Sequence, residues 1–454
     1  MRLAQRAPTF EELLAREDLV HELGRIFATI AEPDPQGRYV HWDDVRREPP
    51  PEGLSREARW LGLKFRRGSV ARALPLRSTE GRPLTICLTD TILETLHWID
   101  QHGAGEILIS EGVTDPGQRQ RYLVSSLMEE SITSSQLEGA SVTRKVAREM
   151  LKTGRSPRDK GERMIRNNYR AMSRLRDMAL EPLTRDMILE LHRILTEGTL
   201  DDPRAAGRIQ RPGEDRVRVV DPDDQVVHVP PPAEELDARL DSLVRFANGE
   251  TPGPFLHPVV RAIALHFWLA YDHPFEDGNG RTARALFYWA MLRAGYWMFE
   301  YLSISSLLVK APAQYARAFQ HTETDEFDGT YFVLHQLRVV RLAVDALIAY
   351  LRRKMSETRE TLRLLRRTSL NHRQVALLTH ALRHPDAEYT IRSHATSHGV
   401  VNQSARTDLV DLQRRGLVER RTAGRAFHFY PAADLAARLE LQMSPTGHLM
   451  GDEM

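Results

Sequence analysis

Apolar residues recur at three- and four-residue intervals through most of this chain, which is the period of an α-helix. The clearest stripe is Val260, Ile263, Ala264, Phe267 and Tyr271, expected to form an amphipathic helix with one buried face. Pro274 disfavours helical geometry at the residue before it, so His273 is expected at or just past the C-terminal end of that helix. A second helix is expected from Arg281 to Ala294, with Gly295 as its stop. Other helical stretches run from Phe10 to Ile30, Thr91 to Gln101, Tyr315 to Phe327 and Thr330 to Tyr350, the last continuing to near Arg367. Period-two patterning is confined to short pieces. Leu84 to Leu88 reads as a strand, and residues 216–230 read as two short strands around an Asp-Pro-Asp-Asp turn. The pattern predicts a mainly α fold.

Composition narrows the picture. A chain of 454 residues is long enough for two or three domains with substantial cores. The net charge of only +1 gives the whole protein no nucleic-acid signature. The balance is uneven, however: residues 351–430 hold 16 Lys or Arg against 7 Asp or Glu, a local +9, which leaves the remainder near −8. The single cysteine, Cys87, excludes an intramolecular disulfide and fits a reducing compartment. No leader pattern opens the chain and no apolar run approaches membrane-spanning length, so the expectation is a cytoplasmic protein without a membrane partner.

Chemistry concentrates between residues 273 and 284, His-Pro-Phe-Glu-Asp-Gly-Asn-Gly-Arg-Thr-Ala-Arg. A base (His273), a metal-binding carboxylate (Asp277), a small anion loop (Gly278, Asn279, Gly280) and two phosphate-seeking arginines (Arg281, Arg284) lie within twelve residues. The Gly-Asn-Gly segment falls at a helix N-terminus, where free N–H groups and the helix dipole favour phosphate. The run resembles the signature of the Fic family, His-x-Phe-x-(Asp/Glu)-Gly-Asn-(Gly/Lys)-Arg-x-x-Arg, at every defining position. Ala283 stands where many relatives carry Gly, a change compatible with a helix interior.

The resemblance implies a helical catalytic core and a role for each residue. His273 is then the general base that takes a proton from a hydroxyl of a target protein. Asp277 holds Mg²⁺ against the α- and β-phosphates of ATP. Gly278 and Gly280 let the backbone approach the phosphates, with Asn279 adding an amide donor to the same nest. Arg281 clamps the α/β region and Arg284 the γ-phosphate, while Phe275 anchors the loop. The implied activity is adenylyl transfer, AMP passing from ATP to a Tyr, Thr or Ser hydroxyl.

Residues 134–139, Ser-Ser-Gln-Leu-Glu-Gly, resemble the inhibitory motif of the same family, (Ser/Thr)-x-x-x-Glu-(Gly/Asn). Ser134 and Glu138 are four apart, on one helical face, and Gly139 can end the helix. Pairing of Glu138 with Arg284 would deny the γ-phosphate its arginine. The hairpin expected at 216–230 corresponds to the flap that, in Fic relatives, pairs with the target backbone. His257, His266 and His273 lack the spacing of a zinc helix. His266 is expected in the core, and Trp42 and Trp60 as packing residues.

Residues 389–430 resemble a winged helix. A short helix lies around Ser393, then a Gly399-Val400 turn, a helix from Asn402 (as N-cap) to Arg415, and two wing strands, Leu417–Arg421 and Arg425–Tyr430. If it takes DNA, Gln403, Ser404, Arg406 and Thr407 would face the major groove, and Arg421 and Arg425 the phosphates. The expected organisation is an N-terminal accessory region (1–114), a catalytic domain with its inhibitory helix (115–348), a linker helix (349–367), a winged helix (368–434) and a tail (435–454). Besides an autoinhibited adenylyltransferase, two readings stay open: an ATP-sensing transcription regulator, and an enzyme that removes AMP at the same site. Self-modification and a homodimer are open as well.

Overall fold

The computed structural model describes residues 3–103, 116–220, 224–366, 369–423 and 426–441. The chain forms two units, residues 1–348 and 349–454.

The first unit opens on α1 (Phe10–Leu14), α2 (Glu17–Val20), α3 (Leu23–Thr29), α4 (Trp42–Val45) and α5 (Arg56–Val70). The continuous stretch expected from Phe10 to Ile30 is therefore three short helices. Its breaks at Arg16 and Glu22 let Leu13, Leu19 and Ile26 all join the cluster around Trp60 and Leu61 of α5. Trp60 is fully buried and Trp42 packs against the same cluster. β1 (Ala71–Arg77) and β2 (Pro83–Cys87) pair antiparallel, and α6 (Asp90–Gly103) follows. β2 falls where a strand is expected; β1 is disguised by Pro75, near which the register shifts between Ala73 and Arg77.

The helical core comprises α7 (Pro116–Leu137), α8 (Arg144–Thr153), α9 (Lys160–Met178), α10 (Arg185–Thr196), α11 (Leu236–Ala247), α12 (Pro258–Asp272), α13 (Asn279–Arg293), α14 (Ser305–Leu308), α15 (Pro312–Thr324) and α16 (Thr330–Arg366). α12 and α13 pack against each other, with α9, α10 and α7 against α13. From Val259 to Asp272 every residue of α12 except Arg261 and Ala270 is buried. The one-sided stripe expected for α12 is thus corrected: the helix is surrounded, as an element apolar on all faces must be. The hairpin is shorter than expected, β3 (Val219–Val220) against β4 (Val226–His228), and residues 221–223 of its turn lie outside the described residues.

In the second unit α17 (His372–Arg383) precedes β5 (Tyr389–Thr390), α18 (Ile391–His398), α19 (Asn402–Arg414), β6 (Val418–Ala423), β7 (Ala426–Pro431) and α20 (Leu435–Leu441). The three strands form an antiparallel sheet in the order β5-β7-β6, with Tyr389 opposite Phe429 and Arg421 opposite His428. Leu378, Leu409, Leu412, Leu417 and Phe429 fill the core. Asn402 is the first helical residue of α19; the N-cap is Val401, which supplies no side-chain cap. Gly416, at φ +70°, follows its end.

On the buried face of α19, Asp408 accepts from Arg373 Nε (2.7 Å) and Nη2 (3.0 Å), from Asn371 Nδ2 (2.7 Å), and from His394 Nε2 (3.2 Å). Burial pushes its carboxyl up, but these donors outweigh burial and hold it below the ordinary range. Its stabilising contribution is therefore present above the unfolded value and lost as pH falls through the folded one. Asp408→Ala is expected to destabilise this unit by on the order of 3 kcal/mol, since the donors lose their acceptor. Chemical denaturation checks this, and a change under about 1 kcal/mol would reject it.

Candidate active site

The site is made by the end of one buried helix and the start of the next. α12 stops at Asp272 because His273 adopts the left-handed conformation (φ 47°, ψ 51°) and Pro274 follows. That conformation costs a non-glycine residue about 1–2 kcal/mol, so neighbouring contacts must hold it. Phe275 is fully buried and stacks on His192, ring centroids 3.7 Å apart. Gly278 (φ 86°) is the N-cap of α13, and a Cβ there would stand 2.7 Å from Thr196 Cγ2. Glycine is thus needed for both backbone and space. Having no side chain, it leaves the first-turn N–H groups of α13 without a side-chain cap.

Asn279 has a structural part in the loop. Its Oδ1 accepts from the Phe275 N–H at 2.9 Å and its Nδ2 donates to the Phe275 carbonyl at 2.8 Å. The amide closes the loop through one of its two N–H groups, and so shapes the anion nest. Asp277 keeps a half-exposed carboxylate at the loop tip, 3.2 Å from Arg281 Nη2. As a carboxylate beside that nest, it suits a hard cation whose other ligands come from phosphate and water.

His273 is half-buried, with Nδ1 3.2 Å from the Ala270 carbonyl. A carbonyl only accepts, so the proton resides on Nδ1 and the Nε2 lone pair is the one available. Burial pushes the imidazole down to about 4, against the pull of the Ala270 carbonyl. The ring is neutral at physiological pH, as a base must be.

The two arginines are both buried but differently occupied. Arg281 Nη1 donates to the Leu195 carbonyl at 3.1 Å. Arg284 donates through Nε to Ser134 Oγ (2.8 Å) and through Nη2 to the Ser134 carbonyl (2.9 Å) and Glu138 Oε1 (2.9 Å). Burial opposes the charge on Arg284, and Glu138 outweighs it, leaving the guanidinium raised. Ser134 lies in the last turn of α7, while Glu138 stands one residue past its end, before Gly139 (φ 87°). The two sequence motifs are thus brought into direct contact. Gly280 is the space that permits it, since a Cβ there would lie 2.3 Å from Glu138 Oε1.

Three supports carry no motif. His192 accepts the Gly207 N–H at Nδ1 (3.0 Å), so Nε2 donates to the Asp277 carbonyl (2.8 Å), which fixes a neutral tautomer. Glu130 accepts from Tyr288 of α13 (3.0 Å), Ser303 (2.9 Å) and the Ser305 N–H (3.1 Å), which anchors α7 to α13. Arg216 donates to the Asp272 and His273 carbonyls at 2.8 and 3.0 Å. Only Arg216 left a trace in the sequence, as the first residue of the hairpin segment. His266 is a buried core residue, 2.7 Å from the Tyr315 hydroxyl. In the second unit Gln403, Arg406, Thr407 and Arg421 are exposed and Ser404 is half-buried, whereas Arg425 lies outside the described residues.

Residues 182–291 match the Fic/DOC family, so the chain carries a Fic/DOC domain reaching from the start of α10 into α13. It is similar to the Protein adenylyltransferase Fic of Nematostella vectensis, 37% identical over 116 residues (26% of this chain, 24% of the relative). It is also similar to that of Drosophila melanogaster, 38% identical over 109 residues (24% and 20%). The chain thus spans about a quarter of the length of the curated relatives it matches. A solved Fic family protein from Desulfovibrio desulfuricans G20 shares the fold, with a TM-score of 0.52 at 18% identity over 76% of this chain and 97% of that one.

Two outcomes are expected at this site. Because His273 is depressed below the ordinary histidine value, its protonation favours the unfolded chain as pH falls from about 6.5 toward the folded value. NMR titration of the histidine ring carbons in nucleotide-free protein should find His273 still unprotonated at about pH 5.5, and a midpoint at the ordinary value would contradict the burial argument. Gly278→Ala is expected to cost about 1–3 kcal/mol through strain and to abolish ATP binding measured by calorimetry; wild-type affinity would show that the loop tolerates a Cβ.

Proposed function

We propose that the Fic/DOC domain of this chain transfers AMP from ATP to a hydroxyl side chain of a target protein, and that Glu138 restrains the reaction. The observation that carries the reading is the pairing, across one short loop, of a neutral left-handed His273 with the glycine-capped N-terminus of α13. The name borne by the curated relatives supports it.

The phosphates of ATP lie against the first-turn N–H groups of α13, where backbone donors and the helix dipole favour anions. Arg281 and Arg284 supply charge-assisted donors from the same helix. Asp277 would hold Mg²⁺, which when bound neutralises phosphate charge. The target hydroxyl gives its proton to His273 Nε2 as its oxygen bonds to the α-phosphorus. The bond from that phosphorus to the bridging oxygen breaks, and pyrophosphate leaves with the electron pair. His273 then carries the proton and returns it to solvent.

Restraint follows from competition for one guanidinium. While Arg284 is held by Glu138 and Ser134, it cannot clamp a γ-phosphate, and the α-phosphate is poorly aligned for in-line attack. We read the second unit as a winged helix, from its helix–strand–helix–helix–strand–strand order. The exposed Gln403, Arg406 and Thr407 of α19 and Arg421 of β6 are its candidate contacts with DNA or a protein partner.

Incorporation of α-labelled ATP into protein in Mg²⁺ tests the reading. Couplings of this kind are ~1–3 kcal/mol, so Glu138→Gly should raise labelling roughly 5–150-fold. Glu138→Gly/His273→Ala should abolish it. Labelling equal to wild type in Glu138→Gly would sink autoinhibition. No label in any variant, with ATP still bound, would favour the sensing regulator or the AMP-removing enzyme.

A further inference from the structure

Four consecutive carbonyls at the turn that presents His273 are held by one segment of chain. His228 Nε2 reaches the Tyr271 carbonyl at 2.7 Å, and Arg216 Nη2 reaches those of Asp272 and His273 at 2.8 and 3.0 Å. The Gln210 N–H reaches that of Pro274 at 2.8 Å. Arg216 stands just before β3 and His228 ends β4, so each leg of the hairpin sends one side chain to the end of α12. Arg216 is also fixed by the Pro231 carbonyl (2.8 Å) and by Gln210.

The charge on His228 follows from its partners. Its Nδ1 is 2.7 Å from Glu323 Oε2 of α15, and its Nε2 faces the Tyr271 carbonyl. A carboxylate and a carbonyl only accept, so both ring nitrogens donate and the ring is an imidazolium. A cation at the C-terminus of α12 also meets the negative end of the helix dipole. Other charges face it. Asp272 of α12, whose carboxyl burial pushes up to about 7, is tied to Trp268 and to Arg239 of α11, and Arg6, Glu80, Arg82 and Glu326 line the cavity along β4 with Glu323. His273 and Arg216 stand on its other side.

We propose that Arg216 and His228 are positioning residues for His273, a two-cation clamp in which the arginine half is permanent and the histidine half is released on deprotonation. The catalytic turn then acquires an alkaline limb from a buried group outside the nucleotide site. The activity arm of the test rests on the transferase reading; the clamp itself does not. Burial works against the charge on His228, but Glu323, with the Tyr271 carbonyl and Asp272, outweighs it and raises the group above its ordinary value. The sign follows: the clamp is complete below about pH 6.5 and is lost as pH rises through the folded value.

The test has two readouts on the full-length protein. In the Glu138→Gly background, α-label transfer is followed against pH with the hairpin intact, with His228→Gln and with Glu323→Gln. Misplacement of a catalytic group is costly, so His228→Gln should lower kcat at neutral pH by roughly 10-fold or more, with KM for ATP unchanged. It should also remove the alkaline limb, and Glu323→Gln should move that limb to lower pH. A limb that persists in His228→Gln overturns the proposal. Independently of catalysis, NMR of ¹³Cε1-labelled histidine should show the His273 resonance moving in step with the titration of His228. That movement should vanish in His228→Gln and shift to lower pH in Glu323→Gln. If Glu138→Gly yields no label, the transferase reading fails, and NMR still decides the clamp: a His273 resonance blind to His228 overturns it.

Discussion

A helix end cannot be buried without partners for its last carbonyls, and α12 ends deep in the protein. Much of what surrounds the site answers that constraint. Ala270 faces the ring of His273 itself, and the next carbonyls take donors from Gln210, Arg216 and His228. These contacts also hold the left-handed turn at His273, which a histidine would not adopt unaided. The start of α13 is built the other way. Its cap is a glycine, its loop is closed internally by Asn279, and its N–H groups are left for a ligand. One buried corner therefore has a satisfied carbonyl side and an open amide side, which is what an anion site beside a base requires.

The same corner gives a buried arginine its partners. Arg284 is buried, and a buried guanidinium needs acceptors. Ser134 and Glu138 provide them, and Gly280 provides the room. Glu138 remains partly solvent-exposed, whereas the guanidinium it meets is buried. Glu130, farther back along α7, is bonded to Tyr288, Ser303 and Ser305 and ties that helix to α13.

Read from the sequence alone, the turn and its chemistry were legible because their causes are local. Pro274 stops α12, glycine is required at 278, and three-residue spacing puts Arg281 and Arg284 on one helix. Backbone sterics act over a few residues and do not wait for the rest of the fold. The positions of β6 and β7 were legible for the same reason. Where a local signal was ambiguous, packing chose: Val401 became the cap in place of Asn402, and a helix expected to show one apolar face proved to be enclosed.

What tertiary structure alone decided is which groups are free and which are spent. Asn279 has the chemistry of a phosphate donor, yet its amide closes a loop. His192 carries no signal in the sequence and Arg216 only its place at the start of the hairpin segment, yet one stacks on Phe275 and the other clasps the turn at His273. Glu138 and Arg284 are 146 residues apart. Residue type fixes what a side chain can donate, accept or ionise; its partners and burial depend on long-range packing, which no local spacing encodes. The sequence thus determined the chemistry available, and the fold decided where it is exposed, restrained or held in line.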